Sequence, residues 1–268
     1  MNLEPDKFKA ESTSLWSFPE RGSWATHNSK YRGNYAPQVP RNIIINYTNE
    51  GDTVLDPMVG SGTTMIECKL LHREGISFDI NEKAIELTRR ALNFEYRTDS
   101  QQIAYKGDVR DLGVIGSETI DLICTHPPYL DMVSYSKGKI KGDLSNISNP
   151  QKFCDEFDIG IKEMYRVLKP NHYCAILIGD TRKNQHYIPL SYFVFHKFLQ
   201  NGFILKEEII KAQHNCTCSS EWTSSAKKYK FYLIMHEHLF VFRKPNPKEN
   251  LSKYRWSMIP SDRQFIID

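Results

Sequence analysis

The chain lacks an apolar run long enough to cross a membrane, and its cysteines do not form a regular framework. The longest apolar stretches, such as residues 173–178, have the length of a strand, whereas a membrane span needs roughly 18–20 residues. The six cysteines are irregularly spaced, which argues against a disulfide scaffold and favours a reducing, cytoplasmic setting. The first residues are polar and acidic, so we expect no signal peptide there.

Neither sign of charge dominates the composition. The 268 residues include 35 Lys plus Arg and 32 Asp plus Glu, for a formal net charge of +3. A hydrophobic fraction of 40% and a charged fraction of 25% are typical of a soluble globular protein and exclude a disordered one. The small positive excess permits a nucleic-acid partner without requiring one.

Apolar segments of strand length alternate with amphipathic segments of helix length. This rhythm predicts a doubly wound α/β domain with a mostly parallel sheet. We expect an irregular N-terminal segment (1–40) that wraps the core, one domain at 41–244 and a tail at 245–268. Strands are predicted at 53–57, 75–80, 103–106, 120–125, 173–180 and 203–210, with one or two more in 230–244. Helices are predicted at 42–47, 63–73, 82–95, 153–168 and 189–201.

Glycines and acidic residues follow the first three predicted strands. In an open α/β sheet, ligands bind beyond the carboxyl ends of the strands, where glycines allow close approach of the backbone. Asp79, which follows the second strand about 20 positions after the glycine turn, is placed to bond ribose hydroxyls. This pattern fits NAD, FAD and S-adenosylmethionine alike, although the absence of G-x-G-x-x-G argues against a dinucleotide. The alternative is that the glycines form a plain turn and Asp79 caps a helix.

The fourth predicted strand ends in Thr125-His126-Pro127-Pro128-Tyr129. Two consecutive prolines keep the chain extended and remove two N–H donors, so carbonyl acceptors remain. Such acceptors suit the exocyclic amino group of a planar base, on which the Tyr129 ring can stack. The alternative is a loop in which the prolines merely end a strand.

Two of these motifs, DPMVGSGTT (56–64) and THPPY (125–129), resemble motifs I and IV of S-adenosylmethionine-dependent amino-methyltransferases that act on DNA. The likeness to this N6-adenine/N4-cytosine family spans roughly residues 34–244. It implies a Rossmann-like fold with a seven-strand, mostly parallel sheet whose last strand is antiparallel, and helices on both faces. It also implies S-adenosylmethionine as methyl donor and a target base flipped from double-stranded DNA.

The resemblance also implies a role for individual residues. It assigns the target base to His126, Pro127, Pro128 and Tyr129. It assigns the donor to Asp56, Pro57, Met58, Gly60, Gly62, Thr63, Asp79, Ile80, Asp108 and Thr125, with Asp79 at the ribose and Asp108 at the adenine. Position 58 is usually Phe in the family, and Met there still packs against a donor.

Position 126 departs further, because the family usually has Asp, Asn or Ser there. Histidine accepts a hydrogen bond only when neutral, through one ring nitrogen. We therefore expect activity to fall at acid pH with an apparent pKa near that of ordinary histidine, and a flat profile between about pH 5.5 and 8 would count against this. The substitution leaves adenine N6 slightly preferred, with cytosine N4 open.

Basic residues outside these motifs are candidates for contact with DNA phosphates. They are Lys137, Lys139 and Lys141 in a predicted loop at 131–150, and Lys227 and Lys228 in a predicted loop at 211–230. The N-terminal segment, with Arg21 and Arg32, is a third candidate surface. A solvated basic loop is the alternative in each case. We see no room for a separate recognition domain, and the resemblance raises a cognate restriction endonuclease as a partner.

Other functions remain open at this level. Methylation of guanine N2 in RNA depends on similar hydrogen-bond acceptors. A catalytically silent binding module or a different Rossmann enzyme is also compatible with the sequence. The run from His214 to Cys218 suggests zinc, but no second Cys/His pair has ligand spacing, so we expect no metal. No cysteine has the setting of a C5-cytosine nucleophile, which favours direct methyl transfer without a covalent enzyme intermediate.

Overall fold

Strands and helices alternate along the chain in a computed structural model that describes residues 2–214 and 219–259. The main strands are β1 (Leu15–Ser17), β2 (Thr53–Asp56), β3 (Glu74–Asp79), β4 (Gln102–Lys106), β5 (Ile120–Thr125), β6 (Leu168–Ile178), β9 (Ile204–Ala212) and β10 (His236–Arg243), with a small hairpin of β7 (Thr181–Lys183) and β8 (His186–Ile188). The helices are α1 (Gln38–Tyr47), α2 (Thr63–Leu70), α3 (Glu82–Ala91), α4 (Pro150–Val167), α5 (Leu190–Gln200) and α6 (Ser219–Tyr229). Among the described residues, no helix has the length and apolarity to traverse a bilayer.

Eight strands form one sheet in the order β1-β9-β10-β6-β5-β2-β3-β4. Strand β10 runs antiparallel to both of its neighbours, β9 and β6. The other neighbouring pairs are parallel. The predicted mostly parallel sheet with an antiparallel last strand is thus confirmed. It places the carboxyl ends of β2, β3, β4 and β5 along one edge.

Alternate residues of the central strands pack into two separate cores. Leu55 and Ile123 pack with α4 and α5 on one face, whereas Val54 and Leu122 pack with α1, α2 and α3 on the other. Strand β5 is buried along all six residues, as expected for a central parallel strand with helices on both faces. The predicted helices on both faces are therefore present.

Local signals set where several helices begin. The Asn81 side chain accepts a hydrogen bond from the Lys83 amide at the start of α3, and Asn149 accepts one from Lys152 at the start of α4. Helix α1 begins at Gln38, earlier than the predicted residue 42. Pro40 lies in its first turn, where a missing N–H costs no intrahelical hydrogen bond.

The N-terminal segment lies against the domain and is anchored by the buried Glu67 of α2. Glu67 accepts hydrogen bonds from Trp24 at 2.8 Å and from Arg41 at 2.8 Å, and it lies 2.7 Å from His27. Strand β1 extends the sheet beside β9, which gives eight strands where seven were predicted. The extra strand was missed because three residues are too short to show alternation.

The region 211–230 differs from the predicted loop. It contains the last residues of β9 and the helix α6, so β9 and β10 are joined through a helix and not by a hairpin. Residues 230–235 precede β10, which is the single strand in that stretch. The Ser- and Thr-rich sequence of α6 has weak helix propensity, which is why the helix was not predicted.

The Glu67 cluster yields a stability prediction. Glu67→Gln keeps the side-chain shape but removes the buried charge that pairs with Arg41. We expect a loss of about 3 kcal/mol in the free energy of unfolding, because Arg41 loses its fully buried partner and keeps only the more exposed Glu4. The matched control is Glu86→Gln, which breaks an exposed pair with Arg90 and is expected to cost less than about 1 kcal/mol. Urea unfolding measures both, and equal losses would contradict the anchoring role.

Candidate active site

The carboxyl ends of β2 to β5 open into a cleft of about 800 Å³, called here the first cleft. The predicted residues that line it are Asp56, Pro57, Met58, Gly60, Thr63, Asp79, Ile80, Asp108, His126 and Pro128. Gly62 is buried at the start of α2, and Thr125 is buried behind the cleft wall. The structure therefore brings the two predicted motifs to one place.

The glycine turn after β2 depends on residues without a side chain. Gly60 and Gly62 have φ angles of 56° and 90°, in the left-handed region that glycine tolerates best. A Cβ on Gly60 would meet the Tyr31 ring at 3.2 Å, and one on Gly62 would meet the Thr88 backbone at 3.2 Å. The turn is thus held tightly between the N-terminal segment and α3.

The buried Asp56 carboxylate joins three elements at the floor of the first cleft. It accepts hydrogen bonds from the Thr64 hydroxyl in α2, the Thr125 hydroxyl at 2.7 Å and the Met58 amide at 3.2 Å. Burial raises the pKa of Asp56 to about 6, although these hydrogen bonds oppose the rise. The carboxylate fixes the end of β2 to the end of β5.

Asp79 stands at the end of β3 on the wall of the first cleft. Its carboxylate accepts hydrogen bonds from the Gly60 amide at 3.0 Å and the Asn81 amide at 2.8 Å. Burial raises the pKa of Asp79 to about 6, and the neighbouring Asp56 charge adds to this rise. Asp79 therefore changes its charge close to neutral pH.

Asp108, the third acid of the cleft, is paired with Arg110. The guanidinium donates to Asp108 from Nε at 2.9 Å and from a terminal nitrogen at 2.6 Å. The hydrogen bond to Asp108 raises the pKa of Arg110, so the guanidinium stays charged. The Asp108 side chain is 29% exposed and keeps acceptor capacity on the cleft side.

Aromatic residues that the sequence reasoning did not assign to the site close the first cleft. The rings of Tyr31 and Tyr135 stack with centroids 5.6 Å apart and an interplanar angle of 6°. The Tyr35 hydroxyl contacts Thr64 and lies 3.8 Å from the Cys124 sulfur. The aromatic content of the first 40 residues was the only sequence signal for this closure.

A second cleft of about 1730 Å³ adjoins the first. It is lined by His126, Pro127, Pro128 and Tyr129 together with Arg21, Arg32, Lys211 and Glu237. His126 and Pro128 line both clefts, so the end of β5 is the place where the two meet. This shared wall is the central geometric feature of the site.

Four side chains at this wall form a partly buried chain of contacts. The His126 Nε2 atom lies 2.5 Å from the Tyr129 hydroxyl, which donates to Glu237 at 2.7 Å. Lys211 donates to the other Glu237 oxygen at 2.8 Å. Sequence reasoning missed Glu237 and Lys211. Glu237 is 108 residues from Tyr129 in the chain, and Lys211 is 26 residues from Glu237, so only the fold brings them together.

 The sheet order, in which β10 lies between β9 and β6, brings Glu237 to Tyr129 and Lys211 to Glu237.

The structure corrects the expected titration of His126. Burial lowers the pKa of His126 to about 4, although the Glu237 carboxylate, 4.0 Å away, opposes the shift. The expectation of an apparent pKa near that of ordinary histidine is therefore wrong for this residue. The ring stays neutral between about pH 5.5 and 8 because its pKa lies well below that range.

The candidate lysines lie outside the walls of the two clefts. Lys137, Lys139 and Lys141 are exposed in the 131–150 region, which forms turns and a short 3-10 helix (Leu144–Asn146). Lys227 and Lys228 are exposed in the last turn of α6. All five are available to a large ligand that approaches this surface.

A second polar cluster contains Asp180, His236 and His238, whose ligand-type atoms lie within 4.8 Å of one another. The His238 ring is already placed between Glu208 at 2.9 Å and Asp180 at 3.3 Å. Burial works against the charged ring, but the Asp180 and Glu208 carboxylates beside it outweigh this effect and raise the pKa of His238. An ion-pair network accounts for the cluster. Cys216 and Cys218 of the suggested zinc run lie outside the described residues.

A comparison with protein families matches this chain to the DNA methylase family over residues 2–90 and 120–265. Type II methyltransferase M.HpaI from Haemophilus parainfluenzae is 38% identical over 91 residues, which are 32% of this chain and 28% of the relative. A tRNA (guanine(10)-N2)-dimethyltransferase from Methanothermobacter thermautotrophicus is 34% identical over 100 residues, 37% of this chain and 29% of the relative. The chain thus aligns with about three tenths of the length of these curated relatives.

Solved structures with the same fold include an S-adenosylmethionine-dependent methyltransferase from Methanosarcina mazei. It is 16% identical, with a TM-score of 0.53 over 76% of this chain and 97% of that one. TrmN from Thermus thermophilus is 18% identical, with a TM-score of 0.52 over 80% of this chain and 51% of that one. The predicted Rossmann-like methyltransferase fold is confirmed.

The glycine turn yields a second stability prediction. Gly62→Ala forces an L side chain into a left-handed backbone and places its Cβ against the Thr88 backbone. Gly51→Ala is the matched control, because Gly51 has a φ of 84° but nothing within 4 Å of an added Cβ. We expect Gly62→Ala to lower the free energy of unfolding by about 1–3 kcal/mol more than the control, as overpacking does. Urea unfolding compares them, and equal losses would show that the turn has room to adjust.

Proposed function

The chain belongs to the DNA methylase family, the S-adenosylmethionine-dependent amino-methyltransferases, and we propose that it methylates the exocyclic amino group of a flipped DNA base. Adenine N6 is slightly preferred as the target and cytosine N4 is the alternative. One observation carries the proposal. His126 and Pro128 line both clefts, so a donor in the first cleft and a base in the second would meet at the end of β5.

The first cleft fits S-adenosylmethionine in chemistry, because glycines, apolar side chains and carboxylates line one concave site. We assign the ribose hydroxyls to the Asp79 carboxylate and the adenine to the walls formed by Ile80 and Asp108. Glycines in the turn allow the backbone to approach the methionine moiety. When bound, this donor supplies an electrophilic methyl group on a positively charged sulfur.

The second cleft supplies acceptors for an amino group and a ring for stacking. The Pro127 and Pro128 carbonyls lack competing N–H donors on their own residues, and neutral His126 adds a ring nitrogen. The Tyr129 ring is the stacking surface for the base. Acceptors that hold the two amino hydrogens turn the nitrogen lone pair toward the shared wall. The amino nitrogen would gain the methyl group as the bond between that group and the donor sulfur breaks, and one amino hydrogen would leave as a proton to solvent.

The direct test is transfer of labelled methyl from S-adenosylmethionine to nucleic acid. The full chain is incubated with unmethylated genomic DNA and, in parallel, with total RNA, and the products are digested to nucleosides. Label in N6-methyladenosine or N4-methylcytidine from DNA is the expected result. Asp79→Ala should abolish transfer, and Asp111→Ala, an exposed aspartate outside the cleft, is the matched control that should retain it. DNA that stays unlabelled while the donor binds would contradict the proposal.

The similarity to a tRNA guanine-N2 dimethyltransferase supports RNA amino-methylation as a second candidate. Guanine N2 is also an exocyclic amino group on a planar base, so the same acceptors suit it. Label found only in RNA would move the protein to this class.

We further propose that the exposed lysines contact DNA phosphates and that a restriction endonuclease acts in the same system. The Type II methyltransferases among the relatives support the second part. Phosphate contacts position a protein on DNA without reading its sequence. The recognition sequence therefore depends on other loops at the mouth of the second cleft or on a partner.

The site yields a prediction for the pH dependence. Lowering the pH through about 6 protonates Asp79, whose raised pKa lies there, and weakens its hold on the ribose hydroxyls. We expect KM for S-adenosylmethionine to rise below about pH 6, where Asp56, whose pKa is also about 6, is protonated as well. From about pH 8 to 6.5 kcat should stay flat, because His126 remains neutral. Asp79→Asn should give a KM that is high at every pH. A kcat that falls with a midpoint near 6.5, the ordinary histidine value, would contradict this account.

The lysine surface yields a prediction for DNA binding. Replacing Lys137, Lys139 and Lys141 by Ala should weaken binding to DNA of any sequence. The slope of log affinity against log salt should become shallower by about 0.9 for each phosphate contact that is lost. Replacing Lys83, Lys152 and Lys248, which are also exposed, is the matched control for net charge. Equal salt slopes for the two triple variants would remove the 131–150 lysines from the interface.

A further inference from the structure

The contacts that surround His126 include a partly buried chain that ends in an ion pair. Lys211 and Glu237 lie on the neighbouring strands β9 and β10, and their side chains are 14% and 7% exposed. Burial opposes the Glu237 charge, but Lys211 at 2.8 Å outweighs it and lowers the pKa of Glu237. Glu237 is therefore an ionised carboxylate, which accepts hydrogen bonds and donates none.

The negative charge of Glu237 determines which atom donates in the two hydrogen bonds that link it, through Tyr129, to His126. The Tyr129 hydroxyl has one hydrogen, which it donates to Glu237 at 2.7 Å. Its oxygen, 2.5 Å from His126 Nε2, can then only accept. The hydrogen of that contact must come from Nε2, so in the neutral ring Nδ1 keeps its lone pair. The hydrogen bonds of the described residues give Nδ1 no partner.

The position of the Tyr129 ring is itself constrained. The ring packs against Gly179, directly after β6, and a Cβ at position 179 would lie 2.6 Å from Cε2 of that ring. The His126 and Tyr129 rings meet edge to face, with centroids 5.2 Å apart. The tyrosine hydroxyl is thereby held between the histidine and the carboxylate.

We propose that Glu237, acting through the Tyr129 hydroxyl, is a positioning residue that holds His126 as the tautomer protonated on Nε2, so that Nδ1 accepts a hydrogen of the target amino group. This inference rests on the proposed amino-methyltransferase function. An Asp, Asn or Ser at position 126 presents an acceptor without a choice of tautomer. A neutral histidine at this position accepts a hydrogen bond only through the ring nitrogen that lacks a hydrogen. In the opposite tautomer, Nδ1 would present an N–H to an amino group that also donates.

The tautomer can be measured without any activity. The chain is labelled with ¹⁵N-histidine, and the ring signals of His126 are identified by their loss in His126→Asn. The expected pattern is a neutral ring protonated on Nε2 from about pH 5.5 to 8. In Glu237→Gln the side-chain amide can donate to the tyrosine oxygen, so the ring should shift toward protonation on Nδ1. A wild-type ring protonated on Nδ1, or one that titrates in this range, would overturn the proposal.

The consequence for catalysis is tested by a double-mutant cycle. Glu237→Gln should lower kcat by about tenfold or more in the wild-type background, and by much less in the His126→Asn background, where no tautomer exists. The KM for S-adenosylmethionine should stay unchanged. Glu207→Gln, an exposed glutamate on β9, is the control that should leave kcat unaltered, and thermal unfolding checks that each variant is folded.

The two readouts separate the proposals. Equal losses of kcat in the two backgrounds would overturn the role of the tautomer in the reaction. If no variant and no wild-type chain transfers methyl groups, the proposed function fails, while the ¹⁵N spectra still decide which nitrogen of His126 carries the proton.

Discussion

The buried carboxylate of Asp56 joins β2, β5 and α2 at a single point, and both clefts depend on that junction. Its bond with Thr125 fixes the backbone immediately before His126, and its bond with Thr64 fixes the start of α2. Thr64 in turn contacts the Tyr35 hydroxyl of the N-terminal segment. Three internal donors hold this carboxylate in one position, since movement of any one element would leave a buried polar group without a hydrogen bond. The site is thus organised by one residue that need not touch the target base.

The parallel direction of the central strands explains why the candidate functional residues lie at one edge of the sheet. Strands β2, β3, β4 and β5 all end there, and each carries a polar side chain at its last residue or within two residues beyond it. These residues are Asp56, Asp79, Asp108 and His126. The antiparallel β10 reverses this direction, so its beginning, with Glu237, reaches the same edge. Tyr31 and Tyr35 of the N-terminal segment line the first cleft, and the segment is anchored on the domain through Glu67. The strand ends and the segment therefore both contribute walls of the same site.

Patterns confined to one strand or one loop were predictable from the sequence. The apolar run of β5 and the glycine turn after β2 both show in a few adjacent residues, because burial on two faces and a left-handed backbone leave local traces. Pairings between distant segments left no such trace. Glu237 reaches Tyr129 across 108 residues, and the low pKa of His126 follows from burial that only the packed structure creates. The helix α6 was missed for a different reason, since its serines and threonines favour loops in isolation.

A crystal structure of the chain with S-adenosylhomocysteine tests most directly the claim that the two clefts hold donor and base on either side of His126 and Pro128. The account predicts that the ligand occupies the first cleft, with its ribose hydroxyls on Asp79 and its sulfur at the wall shared with the second cleft. A ligand bound elsewhere, or bound with its sulfur turned away from His126, would contradict the account.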